Sequence, residues 1–150
     1  MDNSIKEQIK ILVAEDELDP QYIMAKKFSE EGFEVRTAQN GREAIDKIRE
    51  EPPDIIILDL MMPEVDGFAV LRYLRENVSP SRWQPVIIVS ARRDLENFAE
   101  EFFSQSDYYI PKPCKLMDIM NAVYFLLERR FPGKINLSAA ADLRGIKIKS

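Results

Sequence analysis

The 150-residue chain contains no histidine, one cysteine, five glycines and no apolar run longer than the six residues at 122–127. Each shortage removes a class of chemistry. Without imidazole, the usual zinc sites and histidine-based catalytic triads are excluded. One thiol, Cys114, cannot close an internal disulfide, and any metal bound here must be a hard ion held by oxygen. The glycines, at 32, 41, 67, 133 and 145, do not provide the GxxxxGK[ST] loop that cradles nucleotide phosphates. Six apolar residues fall far short of the ~20 that span a bilayer. The amino-terminal MDNSIKEQIK is charged where a secretory signal would be apolar, so a cytoplasmic protein is expected.

What remains is ordinary for a globular protein. Hydrophobic residues make up 45% and charged residues 31%, which excludes a fibrous or wholly disordered chain. The net charge of −5 is unevenly spread. Residues 134–150 hold four Lys or Arg against one Asp (+3), leaving 17 basic and 25 acidic residues before them (−8). An acidic body does not suit a nucleic-acid surface, so no direct nucleic-acid binding is expected. One domain over residues 1–131, followed by a tail or linker at 132–150, is the simplest division.

Short β-type runs occur at 9–14, 34–38, 54–58, 85–90 and 108–110, separated by helix-compatible segments at 19–31, 41–51, 66–77, 94–104 and 115–131. In the fourth of these, Leu95, Phe98, Ala99, Phe102 and Phe103 share one face. Pro20 suits a first helical turn, Gly32 a helix end, and Pro52-Pro53 a stop. Apolar strands alternating with helices predict a doubly wound, five-stranded parallel α/β sheet, with its ligand crevice at the carboxyl ends of the strands. In the last helix Leu116, Ile119, Met120, Val123 and Leu127 form an inward stripe. Tyr124, Phe125 and Leu126 widen its apolar surface, so a partner or the tail is expected to cover part of it.

The run PDIIILDLMMPEVDG places an acid, Asp59, at the end of a fully apolar strand. A carboxylate in such surroundings is costly unless it is paired, hydrogen-bonded or bound to metal. The other strand ends supply company. The first gives Glu15 and Asp16, the fourth Ser90, and the fifth runs into Lys112. Carboxylates ~4 Å apart repel by about 4 kcal/mol at an effective dielectric near 20, so they take up protons or capture a cation. Mg²⁺ suits an all-oxygen set with room left for a phosphate oxygen. Asp59 is then a carboxylate nucleophile, with Mg²⁺, the Lys112 ammonium and the Ser90 hydroxyl to stabilise a transferring phosphoryl group.

Glu15-Asp16 after the first strand, LDLMMPEVDG around Asp59, VSA at Ser90 and YYIPKP at Lys112 together resemble the receiver domain of two-component response regulators, over about residues 9–131. The resemblance implies a flavodoxin-like fold and Mg²⁺-dependent transfer to Asp59 from a phosphohistidine of a sensor histidine kinase or phosphotransfer protein. It implies metal ligation by Asp16, Asp59 and the Met61 backbone carbonyl, with Glu15 assisting through water, and a cis bond before Pro113. It implies a switch in which Ser90 moves inward and Tyr109 changes rotamer. The consequence is a reshaped output surface on the fourth helix, fifth strand and fifth helix, for a downstream protein or a homodimer. Such a domain catalyses its own phosphorylation and dephosphorylation rather than acting as a conventional enzyme. The chain departs from the family's common pattern at Glu15 for Asp, Ser90 for Thr, Gln105-Ser106 for Gly-Ala and Cys114 for Phe; Met61 and Arg92 stand where the family tunes phosphate lifetime.

Plainer roles compete for the same residues. Glu15 and Asp16 can serve a helix amino terminus, Ser90 can satisfy a strand-end amide, Lys112 can be a solvated loop residue, Tyr109 a core residue, and Cys114 apolar filler or a reactive thiol. A phosphorylation-independent docking module of the same fold is the alternative function. An aspartyl phosphatase or phosphomutase would want a second acid where Met61 stands.

Overall fold

The computed structural model describes residues 9–77, 83–91 and 106–133. Five strands, β1 (Lys10–Ala14), β2 (Glu34–Ala38), β3 (Ile55–Leu58), β4 (Val86–Ser90) and β5 (Tyr108–Pro111), form one all-parallel sheet in the order β2-β1-β3-β4-β5. The helices among the described residues are α1 (Leu18–Glu30), α2 (Gly41–Glu50), α3 (Gly67–Asn77) and α4 (Leu116–Arg130), the last being the fifth predicted helical segment. The fourth predicted segment, 94–104, and Arg92 lie outside the described residues. This is the predicted flavodoxin-like arrangement, with boundaries displaced by about one residue.

Strand parity builds the core. Successive side chains on a strand point to opposite faces, so Ile11, Val13, Ile55, Ile57, Ile87 and Val89 pack on one side with α1 and α4. Leu12, Ala14, Ile56, Leu58, Val86 and Ile88 pack on the other with α2 and α3. Both faces of the central strands are thus covered, which is why they read as continuous apolar runs. The edge strand β2 differs: Glu34 is exposed and only Ala38 is fully buried.

Helix ends follow local chemistry. Past α1, Gly32 N–H donates to the Ser29 carbonyl and Phe33 N–H to the Phe28 carbonyl, the paired bonds that satisfy a helix carboxyl terminus. Phe33 packs edge-on against Phe28, their ring centroids 6.1 Å apart. Asn40 caps α2 by accepting from Glu43 N–H at 2.8 Å. Asp66 accepts from Ala69 N–H in the first turn of α3.

The broad apolar surface expected on the last helix is mostly internal. Tyr124 and Leu126 are buried, and only Phe125 of the three is exposed. The reason is the neighbour: the Tyr124 hydroxyl donates to the Glu31 carboxylate at 2.7 Å, and its ring lies 5.7 Å from that of Phe33. The end of α1 thus covers Tyr124. No helix among the described residues is long and apolar enough to cross a membrane.

Candidate functional site

The carboxyl ends of β1 and β3 are hydrogen-bonded neighbours, with Ala14 in register with Leu58 and Asp59 N–H donating to the Ala14 carbonyl at 3.0 Å. The residues that follow are therefore forced side by side. Glu15, Asp16 and Asp59 each offer a carboxylate oxygen within 4.8 Å of the others, the arrangement on which a shared cation depends. Glu15 and Asp59 are 2% and 5% exposed, so little water screens their mutual repulsion; Asp16 is the least buried of the three.

One cation serves the cluster among the described residues. Lys112 Nζ lies 2.8 Å from Glu15 Oε1 and 3.1 Å from Asp59 Oδ2. Burial by itself would lower the lysine pKa, but the bonds to Glu15 and Asp59 outweigh it and hold Lys112 above its ordinary value. Its backbone is tethered as well, because Lys112 N–H donates to the Ser90 carbonyl at 2.9 Å; the bond to Pro113 is cis, as the resemblance implied. The remaining carboxylate oxygens are partly occupied: Asp59 Oδ1 accepts from Met61 N–H at 2.9 Å and Glu15 Oε2 from Glu17 N–H at 3.1 Å. Three acids and one lysine leave a local excess of negative charge, and every ligand on offer is a hard oxygen. That donor set fits Mg²⁺.

The other expected residues fall nearby or elsewhere. Ser90 is fully buried at the end of β4, paired in register with Pro111 next to Lys112. Met61 is 56% exposed beside Asp59. Tyr109, on β5, is half-buried and packs against the core on the α2–α3 side. Cys114 is half-buried against the other core and lines, with Glu15, Lys112, Ile23, Met24 and Leu116, a cavity of about 620 Å³ next to the acids. Burial and then Asp118 push its thiol pKa up, which favours the filler reading over a reactive thiolate.

Residues 11–124 match the response regulator receiver domain family. The chain belongs to that family. It is 34% identical over 124 residues to response regulator MprA of Mycolicibacterium vanbaalenii, covering 83% of this chain and 52% of that protein; the chain spans about half the length of the curated relatives it matches. The receiver domain of Francisella response regulator 1452 superposes with a TM-score of 0.72 at 35% identity, covering 82% of this chain and 99% of that one. The Thermotoga maritima response regulator TrrA, solved in complex with Mg²⁺ and BeF, gives 0.68 at 27% identity over 79% and 98% of the two chains. Receiver domains bind Mg²⁺ at an acidic pocket, and in this receiver Glu15, Asp16 and Asp59 form an acidic cluster that could hold such an ion.

Reading the sequence missed Gln21. It is 8% exposed, and its Nε2 donates to the backbone carbonyls of Glu15 at 2.8 Å and Ala38 at 3.1 Å, tying together the ends of β1 and β2. A signal existed: Gln21 shares the inward stripe of α1 with Met24 and Phe28, and a buried amide must find partners.

Proposed function

We propose that this receiver domain is a phosphoryl-accepting switch, with Asp59 as acceptor and a phosphohistidine of a sensor histidine kinase or phosphotransfer protein as donor. A carboxylate oxygen of Asp59 attacks phosphorus, the phosphorus–nitrogen bond breaks, and the electron pair leaves with the donor imidazole, which takes up a proton. Asp16, Asp59 and the Met61 carbonyl are the expected Mg²⁺ ligands, with Glu15 acting through water. The ion, when bound, offsets charge on the phosphoryl oxygens. Lys112 holds a positive charge at Asp59 Oδ2, where it can follow the incoming phosphoryl group. The buried Ser90 hydroxyl is the expected donor to one phosphoryl oxygen, and Tyr109 the side chain that repacks when Ser90 shifts. Met61 and Arg92 are the expected tuners of phosphate lifetime.

The observation that carries this reading is the packing of three carboxylates within 4.8 Å of one another, two of them bonded to Lys112. Such a cluster is poorly balanced as a static structure and well suited to a cation and a phosphoryl group. A protein donor finds apolar surface beside it, since Leu18, Tyr22 and Ile23 of α1 are exposed. On the output side, Tyr108 and Phe125 meet edge-on with centroids 6.2 Å apart, and the Arg129 guanidinium lies 4.7 Å from the Phe125 ring centroid. Both aromatic rings are exposed, as a docking face for a downstream protein or a second copy requires. We place the domain at residues 1–131, assign 132–150 as tail or linker, and infer a cytoplasmic setting.

Incubation with Mg²⁺ and an acyl phosphate, followed by intact mass, tests the reading. One phosphoryl group is expected on the native chain and none on Asp59→Asn. An unchanged native mass, or an adduct that persists in the variant, favours the phosphorylation-independent docking module instead.

A further inference from the structure

The second βα connection contributes no reactive group, and yet it touches the acceptor loop more closely than any side chain could. A Cβ built on Gly41 would lie 1.7 Å from the Val65 carbonyl oxygen and 2.5 Å from its carbon. Those are backbone atoms, which no rotamer change can move aside. Val65 belongs to the loop between Asp59 and α3. That loop is tight at its far end too, where a Cβ on Gly67 would lie 2.5 Å from the Asp59 carbonyl oxygen and Gly67 N–H donates to the Leu60 carbonyl at 3.0 Å. Just before Val65, Glu64 sits at φ 67°, in the left-handed region that costs a residue with a Cβ.

The buried face of α2 is graded to match. Gly41, Ala44 and Ile48 are its inward residues, from smallest to largest with distance from the loop. Ala44 and Ile48 share a core with Leu60 and Met62, and Val65 packs against it. The loop can thus drop onto the helix start only because position 41 carries a hydrogen. What the loop holds at its near end is functional: Met61 N–H is the donor to Asp59 Oδ1 at 2.9 Å.

We propose that Gly41 is a positioning residue for phosphoryl transfer. Its missing side chain seats Val65 on α2, and that seat fixes the course of the loop that presents Met61 to Asp59. This rests on the phosphoacceptor reading for its consequence, but the geometric part is independent of it.

The test compares Gly41→Ala with Ile48→Val, a core change on the same helix face that adds no atom near the loop. Three quantities are measured on the full chain: the amide NMR shift of Met61, the Mg²⁺ dissociation constant by calorimetry, and the rate of phosphorylation by acetyl phosphate. A loop shift of ~1 Å at a reacting centre can cost about a hundredfold in rate. In Gly41→Ala the Met61 amide is expected to shift, Mg²⁺ binding to weaken, and the rate to fall by about tenfold to a hundredfold. Ile48→Val is expected to unfold earlier while keeping all three. A folded Gly41→Ala with native amide shift, affinity and rate overturns the proposal. If native protein takes up no phosphoryl group while Gly41→Ala still shifts the amide and weakens Mg²⁺ binding, the positioning role stands and the phosphoacceptor reading falls. Should Gly41→Ala not fold, Asn40→Ala carries the test by fraying the same turn without adding an atom near Val65. It is expected to shift the same amide and slow phosphorylation several-fold, and an unmoved amide with native rate overturns the proposal.

Discussion

The two edges of the sheet both gather partly or fully buried acids, but they treat them differently. At the amino edge each acid has its own arginine and a backbone donor. Asp54 accepts from Lys10 N–H at 2.8 Å and from Arg130 Nη2 at 3.1 Å. Asp107 accepts from Val86 N–H at 2.8 Å, Arg75 Nη2 at 2.9 Å and Trp83 Nε1 at 3.0 Å. At the carboxyl edge Glu15 and Asp59 share Lys112, and Asp16 crowds beside them with no cation of its own among the described ion pairs. One edge is balanced group by group and closes the fold; the other keeps surplus negative charge in a confined space. An edge that only needed to be stable would look like the first, and the imbalance at the second is what the proposed Mg²⁺ and phosphoryl group would relieve.

The sharpest way to break this comparison is to remove the single shared cation. Lys112→Met leaves two almost fully buried carboxylates without their partner and is expected to cost about 3 kcal/mol in metal-free buffer, read by urea denaturation. Because the deficit is electrostatic, added Mg²⁺ should recover much of it. A loss that Mg²⁺ leaves untouched would mean that the lysine stem, not its charge, was needed. The pH dependence has a definite sign. Folded Lys112 titrates above its ordinary value, so its contribution is complete below the unfolded lysine pKa of about 10.4 and is lost as pH rises through the folded value. The stability gap between native protein and Lys112→Met should therefore stay constant between about pH 7 and 9. A gap that widens with pH in that range would place the folded pKa below the unfolded one.

At the balanced edge the expected effect is smaller and insensitive to metal. Asp107→Ala strands the Val86 amide and the Trp83 indole donor and deprives Arg75 of its ion pair, although Arg75 Nη1 keeps the Gln84 carbonyl at 3.0 Å. A loss of about 2 kcal/mol is expected, unchanged by Mg²⁺. Recovery with Mg²⁺ would erase the distinction between the edges.

These contrasts also explain what could be read from sequence. The central strands announced themselves because burial on both faces leaves uninterrupted apolar runs, and the candidate site was visible because Glu15-Asp16 and Asp59 follow such runs, Ser90 closes one, and Lys112 follows the short edge strand β5. Parallel pairing then brings strand ends together whatever their separation along the chain, as Ala14 and Leu58 illustrate. The amino-edge clamps had no comparable signal. Arg75 and Asp107 are 32 residues apart, and nothing in local period or spacing links a helix end to the residue before a strand. Tyr124 was read as surplus apolar surface because its partner, Glu31, lies 93 residues earlier. Gly41 was legible only as the start of a helix; its closeness to Val65 depends on how α2 meets a loop from another βα unit, which a linear pattern does not encode.

The finest test takes charge away from the crowded edge without removing a favourable partner. Asp16 is one of the three clustered acids, and no protein cation is paired with it among the described ion pairs. Replacing it by asparagine conserves shape while relieving repulsion from Glu15 and Asp59. Since Asp16 is the least buried of the three, water damps the gain, and an increase of about 1 kcal/mol in metal-free stability is expected. The same variant should lose the extra stability that Mg²⁺ gives the native chain, because a ligand stabilises a fold only as far as it binds it. Opposite signs in the two buffers are the signature of an acid kept for its ligand. An Asp16→Asn protein that is less stable without metal, yet still gains from Mg²⁺ as the native chain does, would show Asp16 to be an ordinary first-turn acid.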